Sequence, residues 1–345
     1  MPKIFEVSKL SVVLLNWNGK HYLERFLGRL INRSAVPGVS IVVADNGSND
    51  GSQDWIKVNY PQITLIELQE NYGFTGGYNR ALNQIDSDYY LLLNSDVEVT
   101  EGWLEHLIDS MDRMPQAGIC MPKIKSAFEK DSFEYAGASG GFIDVLGYPF
   151  CRGRILSNIE VDCAQYNSDR EIFWASGAAF MIRSSLFHDL GGFDTNFFAH
   201  MEEIDLCWRA KLAGWQVWVF PDSVVYHVGG GTLPNDSPRK LFFNYRNNLL
   251  MLYKNLPSNR LWFVLTLRFI MDYASAFLYL IQGKQKLFNS VWKAHNEFWI
   301  LKGNITRDKK STSVKINSIY RGSIVFAFFF SWKRLRFINI GEKIK

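Results

Sequence analysis

Along the first third of the chain, short apolar runs alternate with segments whose apolar residues recur every three to four positions. The runs at residues 11–15, 39–44, 63–68 and 89–93 are continuous rather than alternating, the pattern of strands buried on both faces of a parallel sheet. Between them, residues 21–31, 51–58 and 76–85 carry helical spacing, and repeated βα units build a parallel sheet covered by helices on both sides. A further helix over 103–114 leads to an apolar stretch at 117–121. Residues 125–170 are rich in glycine and aromatic side chains but weakly periodic, which predicts loops over a site rather than a second core. The pattern sharpens again from Trp174, with an apolar run at 178–182, helices at 184–190 and 202–213, a turn at Gly191-Gly192 and a last strand at 215–220. The expected class is α/β.

Beyond about residue 254 the character changes. Residues 261–281 are mostly apolar but interrupted by Arg268 and Asp272, and a second apolar patch at 323–332 runs straight into Lys333-Arg334-Leu335-Arg336. A membrane span needs about 20 apolar residues, which the first stretch approaches only with two charges inside it and the second does not reach. The net charge of +4 hides an asymmetry: 21 Lys and Arg face 30 Asp and Glu through residue 253, against 17 and 4 beyond it. A basic, apolar tail of this kind predicts helices lying in or on a bilayer with their cations against anionic lipid heads. A helical cap on the rest of the chain or on a second subunit is the alternative. Nucleic acid is not expected, because Phe326 and the run 328–330 cluster in an apolar patch instead of interleaving with cations for base stacking. Cys120, Cys151, Cys163 and Cys207 are scattered without metal or disulfide spacing. The first residues show no cleavable signal architecture, so a cytoplasmic location is expected.

Residues with chemistry gather at the ends of the apolar runs. Asp45-Asn46-Gly47-Ser48-Asn49, then Asp50-Gly51-Ser52, follow the run at 39–44. In an open α/β sheet ligands collect at the carboxyl ends of parallel strands, where such a turn offers a nucleotide backbone donors and a carboxylate; the same residues also spell an ordinary Asn-Gly turn. Leu91-Leu92-Leu93-Asn94-Ser95-Asp96 brings Asp96 to another strand end. A hard cation bridging a diphosphate needs one or two carboxylates on such a rigid support, although a lone Asp also serves as a cap. Glu202, Glu203 and Asp205 crowd three acids into four residues, and mutual repulsion raises at least one pKa, as a general base requires. Acids at a helix start also complement its dipole, and Asp205 with Arg209 has the spacing of a helix ion pair. His227, ahead of Gly229-Gly230-Gly231, either completes a metal site next to a loop able to close or is structural. Asn71-Tyr72-Gly73-Phe74-Thr75-Gly76-Gly77-Tyr78-Asn79 opens a helix with glycines that permit close approach of a ligand, at a spacing that departs from the dinucleotide fingerprint.

Taken in order, Asp45-Asn46-Gly47-Ser48 with Asp50-Gly51-Ser52, Asn71-x-Gly73-Phe74-x-x-Gly77-x-Asn79, Leu92-Leu93-Asn94-Ser95-Asp96, Ser176-Gly177-Ala178, Gly191-Gly192-Phe193-Asp194, Glu202-Glu203-x-Asp205-Leu206-x-x-Arg209 and Tyr245-Arg246-Asn247-Asn248 resemble family 2 glycosyltransferases. The likeness is greatest to bacterial rhamnosyltransferase-like members that build cell-surface polysaccharides, and it covers roughly residues 9–255. The resemblance implies a GT-A type, Rossmann-like mixed sheet flanked by helices. The catalytic domain would span 1–253, with a nucleotide-sugar half at about 9–122 and an acceptor half at about 123–253. A helical, basic, apolar extension over 254–345 would bind membrane or join copies into a homo-oligomer. It also implies a UDP- or dTDP-sugar donor, dTDP-rhamnose among them, a Mn²⁺ or Mg²⁺ ion, inversion at the anomeric carbon, and a lipid-linked or polymeric glycan acceptor at the inner face of the cytoplasmic membrane.

Carried onto this chain, the resemblance assigns Asp45 to the base and Asn16, Asn18 and Asn79 to the nucleoside pocket. Asn94, Ser95 and Asp96 would meet the rest of the donor. Asp96 would hold the metal as the last acid of the family's DxD position, with His227 a candidate second ligand. Glu203 would be the general base, and the acceptor wall would come from residues 191–200 with 174–178, including Trp174, Gly177, Ala178 and Phe193. Two departures matter. Asn94 stands where the first DxD acid is usual, and Glu203 stands where the family has Asp, which keeps Glu202 and Asp205 open as substitutes. A nucleotidyltransferase would need a basic, glycine-rich segment near the first strand, which this chain lacks; a non-catalytic nucleotide-sugar or glycan-binding scaffold would not need the acids at 96 and 203.

Overall fold

A computed structural model describes residues 8–229, 237–307 and 316–344. In chain order the elements are β1 (Ser8–Asn16), α1 (Lys20–Arg33), β2 (Val39–Asp45), α2 (Ser52–Asn59), β3 (Thr64–Glu67), α3 (Gly73–Leu82), β4 (Ser87–Leu93), β5 (Val97–Val99), α4 (Trp103–Arg113) and β6 (Ala117–Ser126). There follow β7 (Gly141–Asp144), β8 (Pro149–Cys151), β9 (Arg154–Ile155), β10 (Asn158–Ile159), β11 (Arg170–Ile172), β12 (Ala179–Arg183), α5 (Ser184–Asp189), α6 (Glu202–Leu212) and β13 (Gln216–His227). The chain continues through α7 (Pro238–Asn255), α8 (Ser258–Ile281), α9 (Gln285–Leu301), β14 (Ile319–Tyr320) and α10 (Ile324–Phe330).

The main sheet is mixed, in the order β11-β13-β6-β12-β4-β1-β2-β3, with β5 added beside β13. Strands β3, β2, β1 and β4 are parallel, and β12 enters antiparallel between β4 and β6. Their continuous apolar runs are buried on both faces, as Val12, Val13, Leu91, Leu92 and Leu93 all are. The register sets Asn16 beside Asp45 and Asp45 beside Glu67, so the turns after β1, β2 and β4 share one sheet edge.

Several elements differ from the sequence pattern. Helix α3 begins at Gly73, not at 76, and β13 continues to His227, well past 220. The largest correction concerns residues 125–170, which are not merely loops over a site. They supply β7–β10, which with β14 make a second sheet in the order β10-β9-β8-β7-β14. Phe133, Phe142, Phe150 and Tyr166 are buried around it. Strands of two to four residues are too short to show a period, which is why the sequence hid them.

The region past residue 254 is helical at first, with α9 packed on both α7 and α8. Its later part is sewn into the same body. β14 pairs parallel with β7, the Ile324 amide donates to Asp144 Oδ2 at 2.8 Å, and the Phe337 ring lies 5.0 Å from that of Phe142.

Candidate active site

At the shared sheet edge, the Asp45 carboxylate is fully engaged. It accepts from Asn16 Nδ2 at 2.8 Å through one oxygen, and from the Ser48 amide at 2.9 Å and Gln53 Nε2 at 2.7 Å through the other. Asp45 and Asn16 are both sealed from solvent, so they build the turn from beneath. What the turn shows outward is Trp17, with Asn18 in the left-handed region at φ 51°. The Asn18 amide donates to Ser48 Oγ at 2.9 Å, and its side chain accepts from the Asn49 amide at 2.9 Å. Asn16 Oδ1 is buried without a partner among the described residues. Asn46, which the motif comparison left without a role, ties this turn to the next: its side-chain amide donates to Asn71 Oδ1 and Gly73 O, each at 3.1 Å, and its oxygen accepts from the Tyr72 amide.

The expected assignments of Asn79, Phe193, Trp174 and Ala178 need correction. Asn79 forms a two-way pair with the Phe193 backbone, at 2.8 and 2.9 Å. It sits against Gly192, where a β-carbon would stand 2.6 Å from Asn79 Oδ1, so it braces the Gly191-Gly192 turn instead of lining a nucleoside pocket. The Phe193 ring is buried among Phe74, Phe180 and Phe187. Trp174 is buried too, donating from Nε1 to the Phe142 carbonyl at 3.0 Å, and Ala178 is covered. Side chains so enclosed cannot stack on a sugar. Gly177 is the member of that group left at the surface of the site.

Asp96 and His227 meet because β5 runs antiparallel to the end of β13 with Val97 opposite His227. A bond from the Val228 amide to the Asp96 carbonyl, 3.1 Å, closes the corner. His227 Nε2 lies 3.2 Å from Asp96 Oδ1, and its Nδ1 lies 3.4 Å from Glu134 Oε1. Burial works against charge on the imidazole, but Asp96 and Glu134 outweigh it and push its pKa up to about 10. Burial likewise raises Asp96, and the hydrogen bond and charge of His227 reverse that, leaving the carboxyl below its ordinary range. A metal takes the neutral imidazole, so a cation here would have to displace the proton from Nε2; the carboxylate oxygen and the ring nitrogen are then spaced as neighbouring ligands of one ion. Among the described residues no group of three or more His, Cys, Asp and Glu is arranged to hold a metal, so a cation here would draw its other ligands from phosphate and water, the usual pattern for Mg²⁺ at phosphate sites. Asn94 holds the strand end by its amide to the Ala178 carbonyl, 2.9 Å, and Ser95 faces Gly19. Gly230 and Gly231 lie outside the described residues.

The three acids of α6 separate into two roles. Asp205 is buried and accepts from Arg209 Nε at 2.8 Å, Lys254 Nζ at 3.0 Å and Asn255 Nδ2 at 2.8 Å. Burial would raise its pKa, but Arg209 and Lys254 hold it low. It locks α6 to α7 and is not poised as a base. Glu202 and Glu203 each keep a buried oxygen without a hydrogen-bond partner among the described residues. Burial pushes Glu203 up to about 7 against the pull of the amides at the helix start, and raises Glu202 as well, helped by the charge of Glu203. Glu202 is buried whereas Glu203 is partly open, with Cδ 3.9 Å from where a β-carbon on Gly177 would stand.

Residues 11–191 match the family model described as glycosyl transferase family 2. The chain is also 30% identical, over 261 residues, to the N-acetylglucosaminyl-diphospho-decaprenol L-rhamnosyltransferase of Mycobacterium tuberculosis, covering 70% of this chain and 83% of that one. The chain belongs to glycosyltransferase family 2. Its fold is that of the GT-A enzymes: S. aureus TarS in complex with UDP-GlcNAc superposes with a TM-score of 0.56 at 16% identity, over 85% of this chain and 81% of that one. GalNAc-T7 with UDP, GalNAc and Mn²⁺ gives 0.54 at 16% identity, over 72% of this chain and 48% of that one.

In this family 2 glycosyltransferase the sequence motifs contain these acids but do not show what supports them. Glu134 lies in the weakly patterned middle of the chain, where nothing in the sequence marks it. Arg246 and Asn247 stood in a recognised motif, but only the folded chain shows what they hold.

Proposed function

We propose that this glycosyltransferase moves a sugar from a UDP- or dTDP-sugar, dTDP-rhamnose first among the candidates, to a hydroxyl of a lipid-linked glycan, with inversion and with Mn²⁺ or Mg²⁺. The observation that carries this reading is Glu203, a partly exposed residue whose carboxyl keeps one buried oxygen without a partner among the described residues and is raised by burial to the pH range where a base both exists and accepts a proton. It takes the proton from the acceptor hydroxyl as that oxygen attacks the anomeric carbon from the face opposite the leaving group, and a single displacement inverts the centre. Gly177, lacking a side chain beside Glu203, leaves room for the acceptor. Asp96 and His227 would hold the cation, which when bound offsets the charge developing on the departing diphosphate. The turns after β1 and β2 frame the nucleoside, with Trp17 the exposed aromatic there. The relative acting on a decaprenol-linked sugar supports a lipid-linked acceptor here.

Such an acceptor presents its sugar at the bilayer surface, and α8 suits that place. It is long and apolar enough to cross a membrane by length and composition. The two charges inside its apolar stretch do not interrupt its outer face, because Arg268 and Asp272 are buried and paired with each other, and the exposed Arg260 lies in its first turn. Trp262, Phe263, Ile270, Phe277 and Ile281 point outward instead. We place the enzyme on the inner face of the cytoplasmic membrane, with this face in the acyl region and nearby cations at anionic heads.

The first test is release of nucleoside diphosphate by the purified protein from a panel of UDP- and dTDP-sugars, with and without Mn²⁺. Metal-dependent release from one donor, lost in Asp96→Ala and in Glu203→Gln, is expected. Release from a donor that survives both substitutions, or binding of donors without any turnover, would overturn the assignment.

A further inference from the structure

The backbone just ahead of Glu202 and Glu203 is unusual. Phe198, His200 and Met201 all sit in the left-handed region, at φ 60°, 69° and 70°, which side chains with a β-carbon avoid. A loop with three such residues in four positions persists only where its surroundings over-determine it. The surroundings are two side chains of α7. Asn247 Nδ2 donates to the carbonyls of Phe197, Ala199 and His200 at 2.9, 2.7 and 2.7 Å. Arg246 Nη2 donates to the carbonyls of Asn196 and Phe197 at 3.0 and 3.1 Å, while its Nη1 pairs with Glu297 on α9 and its Nε donates to Asn247 Oδ1 at 2.8 Å. Both side chains are buried. From the opposite side the Phe198 carbonyl accepts from the amides of Phe74 and Thr75, at 3.0 and 3.3 Å, in the first turn of α3. Helix α6 then begins directly from Met201, whose carbonyl accepts from the Asp205 amide at 2.9 Å.

We propose that Arg246 and Asn247 are positioning residues for the reaction: they clamp residues 196–201 in this left-handed form, and the clamp sets where Glu203 stands beside Gly177. The proposal rests on Glu203 being the base. Neither side chain contacts that carboxylate. They act on the peptide that leads into it, and through Glu297 the clamp extends to α9, so helix packing beyond residue 254 reaches the reacting centre.

The test follows the Glu203 carboxyl directly by ¹³C NMR of glutamate-labelled protein, the signal being the one absent in Glu203→Gln. In the wild-type protein its midpoint is expected at about 7. In Asn247→Ala the freed loop lets water reach the carboxyl. The midpoint should fall by a unit or more, a tenfold or greater change in the protonation equilibrium, and the acid limb of the pH–rate profile should move with it, kcat dropping more than donor KM rises. His200→Gly added to Asn247→Ala restores part of both, because glycine takes the left-handed form without a β-carbon clash. A folded Asn247→Ala with the wild-type midpoint and kcat overturns the clamp, as does a double variant no better than the single. If Asn247→Ala does not fold, Arg246→Lys keeps the charge facing Glu297 but loses the fork to two carbonyls. A smaller shift in the same direction supports the proposal, and none overturns it. The titration needs no substrate, so if no donor is ever turned over the transferase reading fails while the clamp is still decided.

Discussion

At the scale of single residues, Glu203 sets activity and stability against each other. As the proposed base, Glu203 must be ionised to act, so below the midpoint near 7 the rate should rise roughly tenfold per pH unit and level off above it. Stability runs the other way. The folded chain holds the proton more tightly than the unfolded chain, whose glutamates ionise near about 4.3, so the contribution of this group is fully present below that value and is lost as pH rises through about 7. Glu203→Gln, which cannot ionise, should therefore melt above the wild type at high pH, with the gap closing in acid; a variant that melts no higher than wild type at alkaline pH would contradict the burial argument. Asp205 is the contrasting acid. Its charge answers Arg209 and Lys254 while it also accepts from the Asn255 amide, and Asp205→Asn leaves the two cations short of a partner. Breaking a buried ion pair from one side costs about 3–5 kcal/mol, so urea unfolding should show a loss of that order while turnover per folded molecule changes little.

At the scale of elements, the parallel strands were legible because each is a continuous apolar run, and their carboxyl ends collected the acids where expected. The small sheet was not legible, since β7–β10 are too short for a period and their last partner, β14, comes from far along the chain. The family resemblance points to Asp45, Asn79, Trp174 and Phe193 but does not say which way they face. Two of the four carry their polar atoms into backbone pairs under a turn or a strand, one seals its carboxylate beneath a turn, and one is a core ring. Nor could it tell that Arg268 and Asp272 face inward on α8, because a helix that is apolar almost all round gives no sign of its buried side. The small sheet can be tested through Phe337, whose ring touches those of Phe142, Phe150 and Tyr166. Phe337→Ala should cost about 3–5 kcal/mol in denaturant unfolding. A loss below about 1 kcal/mol, the level of an ordinary surface substitution, would mean that this segment does not close the core.

At the scale of the whole molecule, the proposed membrane location is tested on the outer face of α8. Phe263 and Phe277 are exposed, at 69% and 59%, so Phe263→Asp with Phe277→Asp should leave the melting temperature nearly unchanged. In flotation with vesicles containing anionic lipid, the wild-type protein should rise with the vesicles and the double variant should stay below. If the wild-type protein instead stays below and sediments as a dimer that these substitutions dissociate, the face belongs to a second copy. The small sheet also bears on how the chain is made. Asp144 at the end of β7 receives its bond from Ile324, 180 residues downstream. On a ribosome adding about 5–20 residues per second, that separation is a wait of roughly 10–35 s, during which the nucleotide-side strands can already be paired while Phe142 and Phe150 stay uncovered. The newborn enzyme thus passes through a stage with its parallel strands folded and an aromatic pocket open to chaperones, proteases and its own neighbours, and a message cut short before Ile319 would hold it there.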